Sequence, residues 1–279
     1  PGYDGGQYRE LYMHQWTAQT SQITDSWAAA SEGIGICNAT LNTLSNSEFL
    51  NESDKLINIS AMRGVRAFWI YAMMDCWGNV PLVTEYNDKE LPTNKSRQEV
   101  FDWLIKEVNE IAGNCPDISS DTYGKFTKGS AYALLAKLYL NAEAWNVTVS
   151  GNAYQQCIDA CDKIMSFGYY ILEPKWKDNF SINNMNSKEA IFSICFSNKD
   201  TENQNTMMLR TLHYQDYLAD NATYSSWNGI CAQPDYVKLF DTEDPRYEGT
   251  FRIGERRNAA TGELLQTDHG APLIYTVDF

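Results

Sequence analysis

Apolar residues recur three and four positions apart through the first two thirds of this chain, the spacing of one buried face on an α-helix. The pattern predicts helices over 7–31, 33–46 and 54–77. Ile34, Cys37, Leu41 and Leu44 form one stripe; Ala61, Val65, Phe68, Ala72 and Cys76 form the next. Trp77-Gly-Asn-Val-Pro81 then stops the helix, because glycine suits a C-cap and proline cannot continue the ladder. A short extended piece over 81–84 and a polar loop follow. Ser96 and Glu99 have the spacing of a capping box. Behind it Phe101, Leu104, Ile105, Val108 and Ile111 share one side of a helix ended by Pro116. The segment 128–144 presents Ala131, Leu134, Leu135, Leu138 and Ala142. The next helix carries Tyr154, Cys157, Ile158, Cys161, Ile164 and Met165, with Gly168 placed just past its end.

Two of these helices, 129–144 and 154–167, read as an antiparallel hairpin of the tetratricopeptide kind. The small residues Gly129, Ala133 and Ala136 allow close approach. The helices 60–77 and 97–112 read as a second such unit. Beyond residue 170 the helical period fades. The run 189–196 reads as a strand, and the rest is rich in Asn, Asp, Thr, Tyr and Gly, with short elements such as 233–240. The expected fold is therefore all-α, with tetratricopeptide-like helical hairpins and a loop-rich irregular C-terminal part containing short strands. The expected organisation is one domain over 1–279, with a helical scaffold about 7–170 and an irregular, ligand-facing part about 171–279.

Composition narrows the choice of partners. The chain is 43% hydrophobic and 13% aromatic, enough for a sizeable core. Its net charge of −14 speaks against nucleic acid, which is held by clustered Lys and Arg. A neutral ligand such as a sugar is compatible with that charge. No apolar run reaches the ~18 residues of a membrane span. The chain opens at Pro1 without a visible signal peptide and closes in the strand-like APLIYTVDF, as expected of a segment of a longer chain. Its seven cysteines contain no CxxC, and an odd count leaves at least one unpaired. Most are expected to be small buried apolar residues, Cys157 and Cys161 sharing one helix face.

Taken in order, the motifs resemble one family. Arg63-Gly-Val-Arg-Ala-Phe-Trp-Ile-Tyr71 running into Trp77-Gly-Asn-Val-Pro-Leu-Val83 resembles the SusD/RagB signature, an arginine-bearing aromatic helix entering a (F/W)G-x-(V/I)-P-L turn. Leu91-Pro-Thr-Asn-Lys-Ser-Arg-Gln-Glu-Val-Phe101 is similar to the family's entry to the next helix. Phe126-Thr-Lys-Gly-Ser-Ala-Tyr-Ala-Leu-Leu-Ala-Lys-Leu-Tyr-Leu140 matches its T-K-G-A-A helix. The helix from Tyr154 to Gly168-Tyr-Tyr170 and the run Glu189-Ala-Ile-Phe-Ser-Ile194 follow in the same order, with Trp227-Asn-Gly229 and Asp244-Pro-Arg246 as further landmarks. The resemblance runs from about residue 7 to about residue 255. It implies a cell-surface lipoprotein of Bacteroidetes-type bacteria that binds glycans and is not an enzyme. Peripheral membrane attachment would come through an N-terminal lipid anchor outside this chain. The implied partner is a SusC-like TonB-dependent outer-membrane transporter.

A sugar ring has an apolar face and a hydroxyl rim, so its site needs flat aromatic platforms beside polar groups. The N-terminal stretch supplies Tyr3, Tyr8, Trp16 and Trp27 among Asp4, Arg9, His14, Gln15 and Gln19. The resemblance places binding aromatics there, with Tyr3 and Tyr8 standing where the family pattern has tryptophan. Trp16 and Trp27 also have the spacing of core residues. Asn38 has an amide suited to sugar hydroxyls, or to a structural bond within its helix. The stretch 223–229 adds Tyr224, Trp227 and Asn228, the last in Asn-Gly turn chemistry. Arg63 and Arg66 are expected to be solvated or locally ion-paired.

Nothing resembles a catalytic constellation. A glycosidase needs two carboxylates at a defined separation across a cleft. Asp241, Glu243 and Asp244 read as a turn ahead of Pro245. Their spacing is not that of an EF-hand loop, so Ca²⁺ has no sequence support and no cofactor is expected. Two alternatives are a helical-repeat adaptor that binds a protein without glycan affinity, and an α-helical glycoside hydrolase.

Overall fold

The computed structural model describes residues 6, 8–181, 183–197, 199, 205–224 and 226–277. It is mainly helical and divides into two compact units. One comprises Thr17–Pro174 with Ile182–Ile194; the other comprises Pro1–Trp16, Lys175–Ser181 and Cys195–Phe279. The N-terminal residues thus group with the irregular part rather than with the helical scaffold.

The helical unit is built from α2 (Ser21–Ser45), α3 (Glu52–Trp77), α4 (Arg97–Ile111), α5 (Lys128–Asn141) and α6 (Ala153–Ser166), after α1 (Arg9–Tyr12) of the other unit. Each consecutive pair from α2 to α6 packs together, as expected for stacked hairpins. The helix starts are chemically specified. Asn51, Ser96, Thr127 and Asn152 each accept a backbone N–H of the first turn through their side chains, and Ser96–Glu99 forms the full capping box. Helix α3 ends at Gly78, whose φ of 78° a side chain rarely adopts and whose N–H returns to the Met74 carbonyl at 2.9 Å. Behind that turn β1 (Val80–Pro81) pairs antiparallel with β2 (Asn94–Lys95), matching Val80 with Lys95.

The expected break between 31 and 33 does not occur, since α2 runs unbroken through Gly33. A Cβ at Gly33 would lie 2.6 Å from the Trp69 indole, so glycine there lets α3 approach rather than ending a helix. In the same way the ring of Phe126 lies on the bare backbone of Gly64. The core between these layers holds Ile70, Met74, Val80, Val100, Phe101, Leu104, Val108, Ile111 and Leu138, all essentially without solvent contact. Burying each such side chain contributes about 1.5–3 kcal/mol.

The expected strand over 189–196 is not one. Residues 171–173 meet it around Lys188 and Glu189: Ile171 N–H donates to Lys188 O, Glu173 N–H donates to the Glu189 carboxylate and Lys188 N–H to that of Glu173. Side-chain carboxylates have replaced a ladder. The apolar residue of this run acts as a plug, with Phe192 set edge-on to Phe68 and Phe126 at 5.4 and 5.6 Å.

The second unit is loop-rich. It carries α7 (Met207–Thr211), α8 (Asp216–Ala219), α9 (Pro234–Val237) and α10 (Pro245–Thr250), together with the pair β3 (Gly254–Glu255) and β4 (Ile274–Tyr275). Its buried apolar residues, Leu212, Val237, Leu265 and Leu273, are few. A buried carboxylate takes the centre instead. Asp216 has 0% exposure and accepts from the Tyr275 hydroxyl at 2.6 Å, the His213 N–H at 2.8 Å and Arg256 Nε at 2.7 Å, with Arg252 at 3.1 Å. Burial alone would raise its pKa. The Tyr275, Arg256 and His213 donors outweigh burial and hold it below the usual carboxylate value. Asp220 extends the network to Arg252 and Arg256.

All seven cysteines are free. Only Cys37 and Cys115 are buried, with Cys157 half-buried and Cys76, Cys161, Cys195 and Cys231 exposed, contrary to the mostly buried set expected from sequence. Among the described residues no helix is long and apolar enough to cross a membrane.

Candidate functional site

Arg210, in the last turn of α7, is the residue around which the loop-rich unit gathers its aromatics. The segment after it folds back onto the carbonyls that end the helix. Trp227 N–H donates to Leu209 O at 2.7 Å, Asn228 N–H to Leu212 O at 2.9 Å, and the N–H groups of Gly229 and Ile230 both to Arg210 O at 2.9 Å. Asn228 takes φ 49° to make this turn, a conformation that asparagine tolerates. These bonds satisfy orphan helix carbonyls and fix the Trp227 ring beside the Arg210 guanidinium, whose Cζ lies 5.3 Å from the ring centroid. On the N-terminal side Tyr8 precedes α1 and lies 5.6 Å from the same carbon, and its hydroxyl accepts from Arg210 Nη1. Two aromatic rings therefore share one cation, an arrangement stabilised by the ring quadrupoles. Trp227 keeps 36% of its surface exposed.

The other candidates separate by location. Trp16 is 49% exposed in the same unit, its ring 5.5 Å from that of His14. Tyr224 also lies there, but its hydroxyl is committed to Asp220. Burial and then that carboxylate push its pKa up to about 12, so it stays protonated and donating. Asn228 is exposed at its turn. Tyr3 lies outside the described residues.

Trp27 and Asn38 belong to the helical unit. Trp27 stands perpendicular to Trp77 at 5.3 Å, packed against the core. Asn38, 4% exposed, uses both ends of its amide within the protein, donating to Val83 O at 3.1 Å and accepting from Arg66 Nη1 at 2.9 Å. These contacts give Trp27 and Asn38 framework tasks. A shallow cleft of about 290 Å³ lined by Val83, Glu85, Tyr86, Asn87 and Asp88 adjoins Asn38.

The arginines of the opening motif are framework too. Arg63 places Nε and Nη2 on the two oxygens of Glu107 at 2.9 and 2.6 Å, and Arg66 Nη2 reaches the same carboxylate at 2.8 Å. Arg66 is 7% exposed and so is not on a solvated face; it also donates to Thr84 O at 2.7 Å. Burial raises the Glu107 pKa, but the two guanidinium groups more than reverse this and the net direction is downward. The motif thus clamps α3 to α4, to α2 and to the strap beyond β1.

Residues 5–140 match the family model described as starch-binding, associating with the outer membrane. A SusD-like protein of Bacteroides ovatus is 24% identical over 254 residues, which cover 86% of this chain and 45% of that protein. Over these residues the chain is similar to the SusD-like family. Solved structures carry the same fold. A SusD superfamily protein from Parabacteroides distasonis superposes with a TM-score of 0.77 at 20% identity, over 94% of this chain and 56% of that one. The surface glycan-binding protein A of Bacteroides thetaiotaomicron, solved with laminarihexaose, gives 0.66 at 18% identity, over 80% and 48%. The SusD-like fold seen here therefore spans about half the length of these relatives.

Sequence reasoning missed Arg210. It sits in no motif, and its partners Tyr8 and Trp227 are far from it in sequence, so only the fold reveals it. The acidic run before Pro245 is local structure. Asp241 Oδ1 accepts from Glu243 N–H, and Asp244 caps α10 while pairing with Arg246 at 2.9 Å. Among the described residues no group of His, Cys, Asp and Glu is arranged to hold a metal ion.

Proposed function

We propose that this chain binds oligo- or polysaccharide, as a non-catalytic receptor, through the aromatic surface around Tyr8 and Trp227. Trp16, Tyr224 and Asn228 are further candidate contacts, and Tyr3 is a sequence candidate for the same surface. The observation that carries the proposal is the pair of rings backed by Arg210. A cation against one face leaves a ring rigid, and a rigid ring meets a sugar face at little entropic cost. The family-model match and the laminarihexaose-bound structural neighbour support the ligand class. The location implied by the family is the outer-membrane surface through a lipid anchor, with delivery of the glycan to a SusC-like TonB-dependent transporter.

Electrophoresis of the chain through gels cast with soluble polysaccharides, with reducing ends assayed in parallel, tests this reading. It predicts retardation by at least one polysaccharide and no release of reducing ends. Retardation by none would favour a protein-binding adaptor. Release of reducing ends lost on changing a single carboxylate would favour a hydrolase.

A further inference from the structure

Unlike Arg246, Arg252, Arg256 and Arg257 of its unit, Arg210 has no carboxylate partner among the described residues. Arg246 pairs with Asp244, Arg252 and Arg256 pair with Asp216 and Asp220, and Arg257 pairs with Glu255. Arg210 has none among the described residues, although acidic residues outnumber basic ones 36 to 22 in the chain. Its hydrogen bond through Nη1 goes to a neutral hydroxyl, that of Tyr8. Its Nε is shielded from solvent and makes no hydrogen bond. A shielded, unpaired donor is unfavourable until an acceptor reaches it.

The vacant edge has a defined chemistry. Nε and Nη2 of a guanidinium point the same way and match the two oxygens of one oxyanion. Arg63 shows this within the same chain, placing that edge on both oxygens of Glu107. In Arg210 the same edge has no hydrogen-bond partner among the described residues, and the guanidinium lies beside two rings suited to a sugar face.

From this we infer that the saccharide taken at this surface is acidic, bearing a carboxylate or sulfate that meets the Nε–Nη2 edge of Arg210 while Tyr8 and Trp227 hold the adjoining rings. The inference rests on the saccharide-binding proposal above and names the ligand class for that surface. It replaces the expectation of a neutral ligand drawn from net charge, because one local unpaired cation outweighs a distant, screened surplus of carboxylates.

Calorimetric titration of the chain with trigalacturonate, a κ-carrageenan tetrasaccharide (sulfated, without carboxylate) and laminarihexaose tests it. At least one acidic probe should bind about tenfold or more tightly than the neutral one, as for a charged hydrogen-bonded pair. That advantage should shrink as salt is added, and which acidic probe binds assigns carboxylate or sulfate. Arg210→Gln should remove the advantage, and Arg210→Lys should restore only part of it, since it keeps the charge without the fork. Equal binding of acidic and neutral probes, or an acidic advantage that survives in Arg210→Gln, would overturn the inference and leave the saccharide proposal standing. Binding of none of the three, with none of the wider polysaccharides retarding the chain, would overturn both. The salt dependence of the unsubstituted chain needs no variant, so the test holds even if Arg210→Gln folds poorly.

Discussion

The phenol of Tyr275 donates its hydrogen to the fully buried carboxylate of Asp216 at 2.6 Å, linking the last strand pair to the short helix α8. In a unit with few buried apolar residues, this polar centre carries much of what a hydrophobic core supplies elsewhere. Asp216 has a folded pKa below its unfolded value of about 3.9. Its contribution is therefore fully present above that unfolded value and is lost as pH falls through the lower, folded one. Thermal melts should be nearly flat from neutrality to about pH 5 and fall steeply below about pH 4. Asp216→Asn should cost about 1–3 kcal/mol at neutral pH, because an amide cannot accept from Tyr275, His213 and Arg256 as the buried carboxylate does, and should flatten the acid slope. An acid slope identical to that of the unsubstituted chain would remove Asp216 from this role.

The helical unit has its own buried charge. Glu107→Gln should destabilise it by about 3–5 kcal/mol, since Arg66 would remain buried beside a neutral amide. Denaturant unfolding followed by helix circular dichroism measures this. A loss under about 1 kcal/mol would mean that water reaches Arg66.

Gly64→Ala should cost about 1–3 kcal/mol by overpacking. Its Cβ would lie 2.1 Å from the ring of Phe126, which is buried and wedged against Phe192. A shift in denaturation midpoint with an unchanged slope is the expected signature.

Two tryptophans that look alike in sequence should separate in experiment. Trp27→Ala should lower the melting temperature and leave saccharide affinity alone, because its ring is edge-on to Trp77 against the core. Trp227→Ala should do the reverse, as a half-exposed ring at the candidate surface. Paired melts and titrations of both variants check this.

What the sequence made legible was the helical unit, because its signals are local. Capping at Ser96, the stop at Gly78 and the stripes of α4 and α5 each depend on residues within one or two turns. One glycine and one apolar run show the limit. Gly33 reads locally as a break, yet it is a seat for Trp69 from another helix. The run 189–196 reads as a strand, yet among the described residues no neighbour offers it a ladder. The motifs pointed to the family this chain is similar to, while two of their residues, Arg63 and Arg66, are clamps. At the candidate surface the aromatics Tyr8 and Trp227 were legible as exposed-loop aromatics. Arg210, which joins them, was not, because its meaning lies in contacts between residues distant in sequence.

The central claim is that Tyr8 and Trp227 form the saccharide platform. The most direct measurement is titration of the unsubstituted chain, Tyr8→Ala and Trp227→Ala with a saccharide that retards the chain in gels, each variant checked by its melting temperature. The account predicts that each variant loses about 1–3 kcal/mol of binding with its melt little changed, and that the double variant loses less than the sum, since both rings share Arg210. Unchanged affinity in both variants, with unchanged melts, would contradict it.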